Sequence, residues 1–531
     1  MLPIIPKPNG TVTEGSGHVT MPAQIGVANN GFAPWVLEAF CLRTGCTLGP
    51  GEPWLTLHQD ATLPAEGYRL CVKEDGVMVS AAKEAGILWG LTTLAQLRAD
   101  NGRIPVCEIL DAPKYPHRGL NFDCVRHFFP VETVKQVIEQ ISLVKMNVLH
   151  WHLTDDQAWR IESTAYPQLH QTSSDYYTRE QIRDIVRYAQ IRGVEIIPEI
   201  DLPGHATGIL SVFPEYSCSG KAVDLVTCGG IFSFVLCAGK EETYQFLERL
   251  LDDICPLFPS KLFHIGGDEA PKTNWETCPD CRRRMEAQKL ATTDDLQGYF
   301  TQRVADILSK HGKQAICWND ALKASVLPEN IRIQYWTIQH LEQMKAYLAK
   351  EKPFIYSDMY DMYLDYPHSM IPLKKVYNSR LLVGSKSCAE VPGLQGMEVC
   401  CWTERIPDSE QLFRRLFPRT IAMAEAAWTR KKDYHSFRQR LRGYVKKLSR
   451  AGVTYTAEDW WDPTGKPRLN ESIHYVQIMF PDDYQNIQEQ TADIQQINAT
   501  FLKALLHGFF PWWNRPKVAK ALTGKRGHTS R

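Results

Sequence analysis

Through most of this chain, runs of four to seven mainly apolar residues bounded by turn formers alternate with longer stretches whose apolar positions recur every three or four residues. The first pattern predicts buried strands and the second predicts amphipathic helices. Strands are predicted at 119–124, 147–153, 194–200, 262–265, 314–318, 331–336, 354–357 and 397–402, with helices between them at 131–145, 179–192, 241–255 and 294–311. Eight strand-helix units over about three hundred residues predict an α/β chain closed into a (β/α)8 TIM barrel, with its functional loops at the carboxyl ends of the strands. A doubly wound open sheet is the structural rival.

The pattern changes near Asp111-Ala112-Pro113-Lys114-Tyr115-Pro116. Before this point lie short strands at 67–72 and 76–80, joined by a turn at Glu74-Asp75, and then one helix at 81–97. This region, 1–113, reads as a small α+β domain; 114–430 is the barrel, and 431–531 is a helical extension with a basic tail. With 531 residues the chain is too long for a single core, which agrees with two or three domains. In the tail, Trp512-Trp513 precede Lys517, Lys520, Lys525 and Arg526 with no acid among them. That suits a solvated end or a segment that docks on another subunit, and it leaves a homodimer open.

Sixty basic residues balance sixty acidic ones, so no net field draws the chain to nucleic acid or to an anionic membrane. No stretch reaches membrane-spanning length, and the start at Met1-Leu2-Pro3-Ile4 lacks a basic region followed by an apolar one. Fifteen cysteines, odd in number and scattered through predicted elements, do not read as a disulfide framework. The expected compartment is therefore the cytoplasm, or the periplasm or exterior if an export signal has been removed. Cys278-Pro279-Asp280-Cys281 has zinc-ligand spacing, but no second Cys or His pair stands within a ribbon's reach, so two free thiols are expected, with a structural metal in this loop as the alternative.

Polar and aromatic residues crowd the predicted strand ends. His264-Ile265-Gly266-Gly267-Asp268-Glu269 sets two adjacent carboxylates just past an apolar run, with a glycine pair to turn the backbone. Two close carboxylates do not both ionise easily, so one can serve as an acid while the other stays charged, as glycoside cleavage requires. The bland alternative is an Asp-Glu pair that complements a helix dipole. Other strand ends carry Asp123 and Arg126; His150, His152, Asp155 and Asp156; Glu199, Asp201 and His205; Trp318-Asn319-Asp320; Trp336; Asp358, Tyr363 and Asp365; and Trp402-Thr403-Glu404. Indole faces stack on the C–H faces of a sugar ring, while carboxylates and guanidinium pair with its hydroxyls. His150 and His152 at i,i+2 face one side and imitate a metal site, although hydrogen bonding beneath a pocket explains them as well.

Taken in order, Tyr115-Pro116-His117-Arg118-Gly119, Arg126-His127-Phe128, His150-Trp151-His152-Leu153-Thr154-Asp155-Asp156-Gln157, Asp201-Leu202-Pro203-Gly204-His205, His264 to Glu269, Tyr363-Leu364-Asp365 and Trp402-Thr403-Glu404 resemble the β-N-acetylhexosaminidases of glycoside hydrolase family 20. The segment from Gly86 to Leu97 resembles the helix of that family's small preceding domain. Val125 and Asn319 depart from the residues common there.

The resemblance implies an exo-acting, retaining hydrolase that releases terminal β-linked N-acetylglucosamine or N-acetylgalactosamine, with the substrate's own acetamide as nucleophile. Glu269 would be the general acid and base, Asp268 would orient the acetamide N–H, and Tyr363 would hold the acetamide oxygen. Arg126, Asp365 and Glu404 would bind ring hydroxyls, Trp318, Trp336 and Trp402 would wall the pocket, and Asp155 with His205 would carry hydrogen bonds to the acid. No metal or cofactor is called for, and the partners are N-acetylhexosamine-terminated glycans. A disaccharide-releasing enzyme of the lacto-N-biosidase type is the alternative within the class, and an inactive sugar-binding barrel is the alternative outside it.

Overall fold

A computed structural model describes residues 2–479, apart from the side chains of Ile473 and 476–479. The basic tail predicted beyond Phe510 lies outside the described residues.

The amino-terminal region is a six-stranded sheet with one long helix. Its strands are β1 (Val12–Thr20), β2 (Gln24–Asn29), β3 (Thr47–Gln59), β4 (Tyr68–Lys73), β5 (Gly76–Ala81) and β6 (Arg103–Asp111), arranged in the order β1-β6-β4-β5-β3-β2. The helix Glu84–Leu97 buries Ile87, Leu88, Trp89, Leu91, Leu94 and Leu97 on this sheet. It begins three residues later than the periodicity predicts, because Ala81 still pairs with Tyr68 at the end of β5.

Eight parallel strands then close into a barrel: β7 (His117–Asp123), β8 (Val148–His152), β9 (Glu195–Glu199), β10 (Leu262–His264), β11 (Gln314–Trp318), β12 (Arg332–Tyr335), β13 (Phe354–Tyr356) and, after the short hairpin β14 (Leu382–Val383) and β15 (Lys386–Ser387), β16 (Leu394–Cys401). Closure is made by β16 on β7, in register from Gly396 opposite His117 to Cys401 opposite Phe122. This is the predicted TIM barrel, with each predicted strand present within a few residues, and the open-sheet rival is set aside.

Helices cover the barrel by the faces that the pattern predicts. Val131–Leu143 turns Val134, Val137, Ile138 and Ile141 inward, and Arg179–Gln190 turns in Ile182, Ile185 and Ala189 behind a capping box of Thr178 and Gln181. Full burial of each of these valine and isoleucine side chains contributes about 1.5–3 kcal/mol.

The two regions meet through a buried polar knot. Asp111, at the end of β6, accepts from Tyr68 Oη at 2.8 Å and Trp428 Nε1 at 3.0 Å, and it faces Lys145 Nζ at 3.3 Å. Arg118 pairs with Glu66 at 2.6 Å. Past the barrel, helix Tyr434–Arg450 returns to the amino terminus, where Arg440 binds Glu425 and the Ile4 carbonyl. No described helix is long and apolar enough to cross a membrane.

Candidate functional site

Inside the barrel, one small apolar layer of Val148, Ile197, Ile316 and Ile355 plugs the interior. Above it the usual aliphatic filling gives way to histidines and carboxylates. Glu398 on β16 accepts from His117 Nε2 and His150 Nδ1, both at 2.8 Å. His150 Nε2 lies 3.1 Å from Glu199 Oε2, which also receives His152 Nδ1 at 2.5 Å. The other nitrogen of His152 donates to Asp155 Oδ2 at 2.8 Å, and His205 Nδ1 lies 3.1 Å from Asp155 Oδ1. His205 Nε2 ends the chain, 3.7 Å from Glu269 Oε2. An unbroken line of alternating rings and carboxylates thus runs from the first residue of β7 to the acid pair.

His150, His152 and His205 each sit between two carboxylates, which raises their affinity for a proton. Burial alone pushes His150 down, but Glu199 and Glu398 outweigh it, and the ring is pushed up to about 9. His152 and His205 are held well above the usual histidine range for the same reason, against their own burial. Two carboxyls nearby move the same way: burial pushes Asp201 up to about 7, and burial with the charge of Glu404 pushes Asp365 up to about 8.

All these groups therefore bind protons more tightly folded than unfolded, so the stability they contribute is lost as pH rises toward those values. Lys145, pushed by burial down to about 8, acts in the opposite sense only above that point. The midpoint of thermal unfolding is thus expected to fall by a few degrees between about pH 6.5 and pH 8. A midpoint that stays flat or rises over that interval in calorimetry would contradict the charged state of the line.

The carboxylate pair is placed by backbone that few sequences can adopt. Gly266 and Gly267 turn with φ of 62° and 92° immediately after β10. A Cβ on Gly266 would lie 1.7 Å from Asp201 Oδ1, so no side chain fits there. Glu269 and His205 themselves hold left-handed φ values of 44° and 48°, a conformation that non-glycine residues keep only when the surroundings impose it. The result separates the two acids: Glu269 keeps a third of its side chain exposed (32%), whereas Asp268 Oδ1 is buried and makes no hydrogen bond. Carboxylate oxygens of Asp201 and Asp268 and a ring nitrogen of His205 lie within 4.8 Å of one another. Burial first, then Asp201 and Glu269, hold Asp268 well above the usual carboxylate range.

Aromatic rings wall the space beside Asp268. Trp318 and Trp402 have centroids 5.9 Å apart, Tyr363 and Trp402 6.2 Å, and Trp336 stacks on Tyr363 at 6.2 Å and 20°. Each ring is held by its edge or by its backbone. Trp318 Nε1 donates to Glu199 at 3.0 Å and Trp336 Nε1 to Asp320 at 2.8 Å. Asn319, the unusual residue of its motif, receives the Trp336 amide at 2.9 Å. Tyr363 sits on a loop stitched back onto β16 by Leu364 N to Cys400 O at 2.7 Å and Cys400 N to Met362 O at 2.9 Å.

On the far rim, Arg126 contacts Asp155 at 2.7 Å, Asp123 at 3.3 Å and Glu404 at 3.8 Å, and lies over the Trp402 ring. The Asp365 loop is gripped from below by Arg419, whose guanidinium donates to the carbonyls of Leu364, Tyr366 and Ile371. Asp365 Oδ1 and Arg126 Nε are buried without partners, so each can still take a hydroxyl.

All eleven residues singled out from the sequence thus converge on one end of the barrel. What the sequence reading missed is the depth of the network. Glu398 lies inside the predicted strand 397–402 and drew no notice, although a lone carboxylate in a buried strand is a signal in itself. Tyr475, on the helix Gly465–Met479, packs on Tyr366 at 5.5 Å beside the Asp365 loop, and no local pattern announces it. A correction concerns the thiols: Cys278 and Cys281 do have a second pair in reach, since Cys218 and Cys237 join them in space. A cavity of about 360 Å3 between Trp89 and Glu195 lies at the other end of the strands, away from this chemistry.

Comparison with known proteins bears on the family and the fold. The family model described as glycosyl hydrolase family 20, catalytic domain, matches residues 115–431, and that described as domain 2 of the family matches residues 2–112. A β-hexosaminidase of Porphyromonas gingivalis is 33% identical over 432 residues, covering 75% of this chain and 55% of that protein. One of Akkermansia muciniphila is 31% identical over 414 residues, covering 72% and 83%. The chain therefore spans little more than half of the first relative's length. The crystal structure of the β-N-acetylhexosaminidase from Bacteroides fragilis NCTC 9343 superposes with a TM-score of 0.78 at 30% identity, covering 85% of this chain and 96% of that one.

Proposed function

The chain belongs to glycosyl hydrolase family 20, and from that premise we propose that it is an exo-acting β-N-acetylhexosaminidase, a retaining enzyme in which the substrate attacks itself. The observation that carries the reading is the buried, unpartnered Asp268 Oδ1 beside the aromatic wall, next in sequence to a partly exposed Glu269. Such an arrangement suits an acetamide N–H held from below and a leaving oxygen protonated from the rim.

In this mechanism the acetamide carbonyl oxygen closes on the anomeric carbon as the glycosidic bond breaks, and Glu269 gives its proton to the departing oxygen. The resulting oxazolinium carries positive charge next to Asp268. Asp268 meets the acetamide N–H as a carboxylate, its proton passing to solvent as the substrate binds, and its charge counts most once the cation has formed. Tyr363 fixes the acetamide oxygen, and Trp318, Trp336 and Trp402 exclude water and hold the ring in a near-attack pose. Water then attacks the same carbon, with Glu269 taking its proton. Arg126, Asp365 and Glu404 would take ring hydroxyls, and His205 with Asp155 keeps Glu269 in place.

Asp268, Glu269, Tyr363 and Arg126 all stand in one site, which favours an active enzyme over a binding barrel. Against aryl glycosides, the protein is expected to release the aryl group from 2-acetamido-2-deoxy-β-glucosides and galactosides, and scarcely at all from an aryl lacto-N-bioside. Release of the intact disaccharide at a comparable rate would reverse the assignment.

A further inference from the structure

We propose that Cys218, Cys237, Cys278 and Cys281 bind a single structural zinc ion at the edge of the barrel. One sulfur from each residue lies within 4.8 Å of the other three. The Sγ–Sγ separations are 3.9 Å for Cys218–Cys281, 3.8 Å for Cys237–Cys278 and 3.6 Å for Cys237–Cys281. Zinc–sulfur bonds of about 2.3 Å in a tetrahedron put the sulfurs about 3.8 Å apart. A disulfide would bring a pair to about 2.05 Å, and with Cys237 equally near two partners, no pairing is preferred.

The backbone is built to match. Ser217 and Leu236 form an antiparallel bridge, with Cys237 N donating to Tyr216 O at 2.7 Å, so Cys218 and Cys237 flank the bridged pair diagonally on two adjoining segments. Cys278 caps the helix Pro279–Gln288 and Cys281 lies in its first turn, so both sulfurs sit at the positive end of a helix dipole, where a thiolate is favoured. A Cβ on Gly239 would lie 2.2 Å from the backbone of Asp280 and Cys281, so only glycine lets the two ligand segments close on one point. As each Zn–S bond forms, the thiol gives its proton to solvent, leaving two excess negative charges. Lys240, three residues past Cys237 and bound to the Glu215 and Ser217 carbonyls, brings a positive charge to this segment, whereas Arg284 is paired with Glu241 at 2.7 Å.

The consequence is mechanical. The loop between Cys218 and Cys237 reaches the candidate active site: Val226 N binds Asp156 O at 3.2 Å, and a Cβ on Gly229 would lie 3.0 Å from Glu404 Cγ. The other ligand pair stands on the segment that follows Glu269, with Trp275 Nε1 on the Leu236 carbonyl at 3.0 Å. One ion would thus fasten the roots of two site-bearing loops to each other, while taking no part in bond cleavage.

Metal analysis of the untagged full chain, purified without chelator, is expected to give about one zinc per chain. Titration of thiols in denaturant without reductant should count all fifteen cysteines. Mercurial modification should release the zinc into a colorimetric chelator, and cobalt exchanged into the site should show the intense visible bands of tetrahedral thiolate coordination. The double variant Cys278→Ser/Cys281→Ser should lose the metal and unfold several degrees lower. If that variant does not fold, the measurements on the parent protein decide. Less than a tenth of an equivalent of zinc, iron in its place, or a thiol count four short through two disulfides would overturn the proposal.

Discussion

Glu269→Gln is expected to lower kcat on natural oligosaccharides by on the order of a thousandfold, because an alkoxide leaves poorly without a proton and a positioned acid contributes roughly a hundred- to ten-thousandfold. The loss should depend on the leaving group. An aryl group of low pKa departs nearly unaided, so bond cleavage from such a glycoside should slow by less than about tenfold, leaving water attack as the slower step. Rates measured over a series of aryl leaving groups should give a steep dependence on leaving-group pKa in the variant and a shallow one in the parent. Equal rates for variant and parent on both kinds of substrate would remove Glu269 from the acid role. The fold should tolerate the change, since the Glu269 side chain is a third exposed and its contact with His205 is a long 3.7 Å.

Asp268→Asn should cost about 2–4 kcal/mol in the transition state, or roughly a hundredfold or more in kcat, while KM changes little. The reason is that a buried carboxylate next to a developing cation is worth most when the charge is complete. An amide of the same shape keeps a hydrogen bond and loses the charge. A thiazoline that mimics the cyclised sugar should inhibit the parent strongly and the variant much less, and an aryl 2-hydroxy glucoside should scarcely react with either. A glycosyl ester trapped on Asp268, or equal rates with and without the acetamide, would end the self-attack reading.

How much of this was legible beforehand differs by element. Strands such as Gln314–Trp318 and helices such as Val131–Leu143 were plain from periodicity, because a strand buried on both faces needs an unbroken apolar run and a covering helix needs one apolar stripe. Their ends were less exact: β16 begins at Leu394, three residues ahead of the predicted 397, where pairing with β13 rather than composition sets the start. The turn at Gly266-Gly267 and the paired acids after it were visible as residue types. That Asp268 turns into the protein and Glu269 toward solvent was not visible, since it rests on the left-handed backbone of Glu269 and on the close fit of Gly266 against Asp201.

By itself the sequence determined the class of fold and which polar and aromatic residues crowd the carboxyl ends of the strands, because strand ends are local and local pattern records them. Only the tertiary structure decided what depends on residues far apart in the chain meeting at one point. Glu398 joins His150 from 248 residues away, and with Glu199 it raises that ring's affinity for a proton deep inside the barrel. Cys237 meets Cys281 across 44 residues, which turns an apparent half of a motif into four converging sulfurs. Periodicity reports which face of an element is buried, whereas charge compensation and ligand geometry depend on what the opposite face brings to it, and closing the barrel is what brings them together.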